Sequence, residues 1–186
     1  KWEFTLSLCK NAGLCIHHEK IQPYIILDPQ WLTYGISKLL KNNEFNENKW
    51  QLEKKEAIAV IEKKEPHAPF FYHNEAIDFL QILEKMKICF LEEDSYFFPS
   101  FLPYHTQKGT TNNTEPPDSW YERQISYASL PPNIFPELQG KLWRNHVNDP
   151  DWKLSKGEIL FYHNRKRMLA RKEKNEIILA IKKDNP

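Results

Sequence analysis

Residues 24–32 read Tyr-Ile-Ile-Leu-Asp-Pro-Gln-Trp-Leu, and no other stretch constrains the fold as strongly. Tyr24–Leu27 is apolar and rich in β-branched residues, which favours a buried strand. The strand must stop at Asp28, a preferred helix N-cap. Pro29 fits the first helical position, where a missing N–H has no partner to lose. A second stretch, Tyr96-Phe-Phe-Pro-Ser-Phe-Leu-Pro103, reads as a strand that a proline ends. Neither segment carries a nucleophile, a metal cluster or a phosphate loop. Their features concern shape and packing, which points to a module that contacts other protein.

Periodicity extends this pattern along the chain. Trp2–Ala12 reads as a short helix, with Gly13 just past its end. Leu14–His17 and Tyr24–Leu27 read as two short strands joined by His18–Pro23. Pro29–Lys41 is the clearest helix, with Trp31, Leu32, Gly35, Ile36, Leu39 and Leu40 on one face. Asn42–Lys49 is loop-like. Leu52–Lys63 reads as a helix with Leu52, Ile58 and Ile61 inward, broken by Pro66 and Pro69. Asn74 can cap a further helix whose apolar face is Ile77, Phe79, Leu80, Ile82, Leu83 and Met86. Ile88–Leu91 and Tyr96–Phe98 flank the acidic turn Glu92–Ser95 as a hairpin. Helix, helix, hairpin is the order of a winged helix.

His105–Asp118 holds Gly109, two Thr, two Asn and Pro116-Pro117 without periodic apolar residues, and reads as a linker or surface loop. It separates a first subdomain, residues 1–104, from a second, residues 119–186. In the second, Trp120–Tyr127 alternates as a strand. Ile134–Trp143 reads as a helix with Phe135, Leu138 and Leu142 inward. Glu158–Tyr162, Met168–Lys172 and Glu176–Ile181 read as strands, with turns at Asn164-Arg165 and Lys174-Asn175. The expected class is α+β: a winged-helix-like half followed by a small antiparallel sheet with a helix.

The same residues argue against several functions. The 26 Lys+Arg and 25 Asp+Glu leave a net charge of +1, which gives no steering towards nucleic acid or an anionic membrane. No apolar run reaches the roughly 20 residues of a membrane helix. Cys9, Cys15 and Cys89 form no Cys-x-x-Cys pair, which predicts reduced thiols and a cytoplasmic setting. The five glycines build no phosphate loop. His17-His18 has no partners at metal-ligand spacing, and neighbours on a strand point to opposite faces. No catalytic residue, metal or cofactor is expected. The chain does not begin with Met, which predicts a fragment of a longer protein.

Two features leave alternatives open. Arg165-Lys-Arg167, with Arg171, Lys172 and Lys174, could grip phosphates beside a winged helix, so a nucleic-acid-binding module is the alternative reading. Against it stand Glu75, Asp78 and Glu84 on the recognition-helix position and Glu92, Glu93 and Asp94 on the wing, all of which repel phosphate. Lys and Arg also discourage edge-to-edge strand pairing. Trp120, Trp143 and Trp152, with Tyr121, Tyr127 and Phe135, either fill a small core or anchor a protein interface.

Four segments together carry a family resemblance: Leu14-Cys-Ile-His-His18, Tyr24–Leu32, Leu83-Glu-Lys-Met-Lys-Ile-Cys-Phe90 and Tyr96–Pro103. Their order and spacing resemble the COR domain of Roco proteins, the segment that follows the Roc GTPase. The family includes leucine-rich repeat kinases and bacterial relatives. Leu130-Pro-Pro-Asn-Ile-Phe-Pro-Glu-Leu138, Trp152-Lys-Leu and the closing strands continue the likeness. The resemblance implies a winged-helix-like COR-A that packs on the Roc domain in cis, with Tyr24, Ile25, Ile26 and Trp31 at that contact. It also implies a COR-B half, truncated at Pro186, through which the protein forms a homodimer. Trp120, Tyr127, Trp143 and Trp152 are the residues expected at that interface. The implied role is non-catalytic: to couple the nucleotide state of the GTPase to dimerisation and signalling.

Overall fold

A computed structural model describes residues 2–43, 50–70, 72–102, 120–146 and 153–183. Helices and antiparallel sheets make an α+β chain, and it divides into two compact units, Lys1–Phe98 and Pro99–Pro186.

The first unit runs α1 (Trp2–Asn11), α2 (Pro29–Asn43), β1 (Gln51–Glu53), α3 (Lys54–Glu62), α4 (Ala76–Lys85), β2 (Phe90–Glu92) and β3 (Ser95–Phe97). The strands form an antiparallel sheet in the order β1-β3-β2, with Leu52 and Leu91 flanking Tyr96. Asp28 caps α2 as its sequence requires: its Oδ1 accepts the Gln30 amide at 2.8 Å. Gly13, at φ 71°, closes α1 with the paired bonds Leu14 N–H to Cys9 O and Gly13 N–H to Lys10 O, a Schellman cap.

Four local expectations are corrected. Gln51–Glu53 is a strand and not the first turn of α3, because Leu52 pairs across to Tyr96 and the Phe98 amide donates to Trp50 O at 2.7 Å. Leu14–His17 and Tyr24–Leu27 make a single bridge, Ile16 to Ile26, not a strand pair. Between them the chain folds into the 3₁₀ turn Glu19–Ile21, capped by His18, and Pro23 has no N–H to extend a ladder. Asn74 does not cap α4; it takes a left-handed φ of 63°, which its short polar side chain tolerates, and Glu75 holds the cap position. Ile77 is exposed, while the buried stripe of α4 is Ala76, Phe79, Leu80, Ile82 and Leu83.

The centre of this unit is built around Gly35. A Cβ there would stand 2.4 Å from Phe79 Cε2, so the missing side chain lets α2 receive the Phe79 ring. Phe79 in turn meets Trp31 and Tyr72 edge-on, at centroid distances of 5.1 and 5.4 Å.

The second unit holds β4 (Trp120–Ser126), α5 (Ile134–His146), β5 (Lys153–Ser155), β6 (Glu158–His163), β7 (Lys166–Glu173) and β8 (Glu176–Lys182), with sheet order β4-β8-β7-β6-β5, all antiparallel. Asn164 and Arg165 both have positive φ, which makes the β6–β7 connection a type I′ hairpin turn. β5 had no sequence signal, since three residues show no alternation. The inward stripe of α5 also differs from the expected Phe135, Leu138 and Leu142. It is Phe135, Gln139 and Trp143, one helical turn apart. Gln139 is buried because its amide donates to Ser155 O at 2.7 Å, tying α5 to β5.

Burial of the first unit carries a pH consequence. Desolvation raises the Tyr72 phenol and pushes Tyr96 up to about 12, and burial raises the Cys89 thiol. These groups stay protonated in the folded chain while their unfolded counterparts lose protons from pH 9–10 upward. The unfolded state then binds fewer protons, so stability is full below pH 9 and falls as pH rises towards 12. Urea unfolding between pH 8 and 11 is expected to show this fall, with a shallower slope in Tyr96→Phe. A midpoint independent of pH would contradict it.

Candidate functional site

The segment Tyr24–Asp28, which contains the bridge residue Ile26, and the start of α2 form one wall of a groove of about 400 Å³. Tyr24, Ile25, Ile26 and Trp31, the four residues assigned to a GTPase contact from the sequence, all line it. Ile26 is buried, Tyr24, Ile25 and Trp31 are half-buried, and Leu27 at the rim is 77% exposed. Phe70 and α4 complete the lining through Glu75, Asp78 and Ile82.

The two walls are cross-tied. The Tyr24 hydroxyl donates to Asp78 Oδ1 at 2.9 Å and lies 2.7 Å from Gln81 Oε1. That bond to a carboxylate raises the Tyr24 phenol above its ordinary value. The Trp31 indole N–H donates to Glu75 Oε2 at 3.2 Å. Trp31 thus serves two environments: its ring packs against Tyr72 and Phe79 on the inner side, and it also lines the groove. Below it the Tyr72 hydroxyl donates to Trp31 O. The groove is held open by hydrogen bonds between its walls and floored by a packed aromatic core.

Phe70, Glu75 and Asp78 were not linked to this site from sequence. Glu75 and Asp78 stand out only as acids on α4, and nothing local connects them to a segment so far upstream.

The residues assigned to a dimer interface scatter. Trp143 is 1% exposed and fills the interior of the second unit, so the core reading holds for it and it is not carried into an interface. Trp152 lies outside the described residues. Trp120 and Tyr127 are half-buried; Trp120 opens β4 and Tyr127 follows its last residue, roughly 23 Å away. A different set clusters instead. Tyr121 (68% exposed) is the cross-strand partner of Ile181, and Ile125 (43%) lies on the same face. Period-two spacing of Tyr121 and Ile125 is the signal that could have found them.

Among the described residues, no group of three His, Cys, Asp or Glu could hold a metal, and no helix is long and apolar enough to cross a membrane. Glu75 and Asp78 are exposed acids at the start of α4, and among the described residues nothing favours nucleic acid.

Comparison with curated proteins gave no significant match. The family described as C-terminal of Roc, COR-A domain, matches residues 3–102. The match contains the elements of the first unit from the second residue of α1 onward and every residue of the groove. It covers more than half of the 186 residues, and the chain therefore belongs to the COR-A family, the module that accompanies the Roc GTPase domain in Roco proteins.

Proposed function

We propose that this chain is a non-catalytic regulatory module of the cytoplasm. Its first unit docks on the Roc domain through the groove, and its second unit carries a homodimer contact, so that nucleotide state and dimerisation are coupled. The convergence of Tyr24, Ile25, Ile26 and Trp31 on one open groove inside the COR-A match is the observation that carries this reading. The order helix, strand, helix, helix, strand, strand, with β3 between β1 and β2, supports a winged-helix-like COR-A. The exposed Tyr121, Ile125 and Ile181 support placing the dimer contact on the β4–β8 face.

Light scattering over a concentration series, with and without the Roc domain in its GDP and GTP-analogue states, tests this. A complex with Roc is expected, together with self-association that depends on the nucleotide. Leu27→Asp should abolish the Roc complex without moving the unfolding midpoint, since Leu27 is exposed. Ile125→Asp should abolish self-association alone. A monomer indifferent to Roc at the highest concentration would overturn the proposal.

A further inference from the structure

Three carboxylates, Asp28, Glu75 and Asp78, line the groove, and among the described residues no Lys, Arg or His does. Each accepts a hydrogen bond from a neutral donor: Asp28 from the Gln30 amide, Glu75 from the Trp31 indole, Asp78 from the Tyr24 hydroxyl. A carboxylate has about four acceptor sites, so each keeps unused capacity. Among the described residues, the cation beside the groove is Lys85, which stands 5.2 Å from the Tyr24 ring centroid and donates to Gln22 O rather than to a groove carboxylate. The three acids do not converge on a point as metal ligands would. They are spread around aromatic walls supplied by Tyr24, Trp31 and Phe70.

We infer that the groove recognises a cationic side chain, Lys or Arg, flanked by apolar residues on the partner segment. The carboxylates supply the counter-charge, the rings supply a cation–π surface, and Ile25, Ile82 and Leu27 cover the apolar flanks. A volume near 400 Å³ is at the lower end for a ligand site and suits one long side chain with its immediate neighbours. An anionic ligand, whether phosphate, nucleic acid or lipid headgroup, is repelled by the same rim. The inference rests on the proposed Roc contact for the identity of the partner, and on the groove alone for its chemistry.

The test uses the variant Asp28→Asn, Glu75→Gln, Asp78→Asn. It removes the charge but keeps the N-cap and the acceptors for Trp31 and Tyr24. Binding of the Roc domain is expected to weaken about tenfold and to lose most of its salt dependence. An independent arm titrates the unaltered chain with an acetylated Leu-Arg-Leu-Ile-Arg-Leu peptide and with its Gln-for-Arg counterpart. The readout is the NMR signal of the Trp31 indole N–H, identified by its loss in Trp31→Phe. The Arg peptide should shift that signal and the Gln peptide should not. Roc binding that ignores charge removal, together with peptides that behave alike, would overturn the cationic site and leave the Roc contact standing. A Roc domain that fails to bind, with the Arg peptide still selected, would overturn the contact and leave the cationic site standing.

Discussion

Phe79→Ala is expected to destabilise the first unit by about 3–5 kcal/mol. Phe79 is fully buried, and its ring occupies the notch that Gly35 leaves on α2 while standing edge-on to both Trp31 and Tyr72. Truncation removes the apolar burial and three partners at once, and the neighbours cannot close the void, since Gly35 has no side chain to move. The complementary change argues the same point from the other side. Gly→Ala in an open helix stabilises by about 1 kcal/mol. At Gly35 the new methyl meets two ring carbons at 2.4 and 2.5 Å, and overpacking of that kind costs about 1–3 kcal/mol. Gly35→Ala should therefore destabilise despite its better propensity. Combined with Phe79→Leu, which vacates the ring positions, its cost should shrink and give a coupling above about 0.5 kcal/mol. Urea unfolding followed by far-ultraviolet circular dichroism measures all four corners of the cycle. Strict additivity would show that the two residues do not interlock.

The same packing has a functional side. Trp31 presents one side to Phe79 and another to the groove, so loss of the Phe79 ring should also loosen the groove wall. On the proposed Roc contact, weaker binding in Phe79→Ala would be a secondary consequence of the core defect, whereas Leu27→Asp would act at the surface alone.

What the sequence made legible divides along a physical line. Asp28-Pro29 specifies the start of α2 through contacts within three residues, and the structure places that cap as expected. The hairpin β2–β3 and the type I′ turn at Asn164-Arg165 are equally local. β1 was not legible, because its three residues form a strand only through their distant partner β3, and β5 was not, because three residues are too few to show alternation even beside the adjacent β6. Tyr24–Leu27 was over-read as a ladder strand. Its apolar residues satisfy burial and groove lining, and a single bridge suffices to fix them. The groove was half legible. Its upstream wall lies in one contiguous motif, but Trp31 meets Glu75 across 44 positions and Tyr24 meets Asp78 across 54. Gln139 shows the limit of reading apolar periodicity: a polar residue takes a core position because one backbone carbonyl, Ser155 O, needs a donor there.

Lys38→Met is expected to cost about 2–3 kcal/mol, although it replaces a charge in the interior with an apolar side chain of similar length. Lys38 is only 5% exposed. Its ammonium donates to Ile61 O and, at 2.6 Å, to Lys63 O, so a side chain of α2 caps the carbonyl end of α3. It also stands 5.4 Å from the centroid of the Tyr72 ring. Burial lowers its pKa, so holding the charge costs the folded state something. Two effects outweigh that cost. Methionine would leave a buried carbonyl without a donor, a penalty of about 1–3 kcal/mol. It would also remove a cation from the negative end of α3. The lowered pKa adds a signature opposite in sign to that of the tyrosines: the unfolded chain holds this proton more tightly, so the Lys38 contribution grows as pH rises towards its unfolded value of 10.5. Lys38→Met should therefore lose stability at pH 7 and show a steeper alkaline decline than the unaltered chain, because the compensating lysine is gone. Equal stability at pH 7 would mean that the α3 carbonyls find water instead, and that α2 and α3 are joined by apolar packing alone.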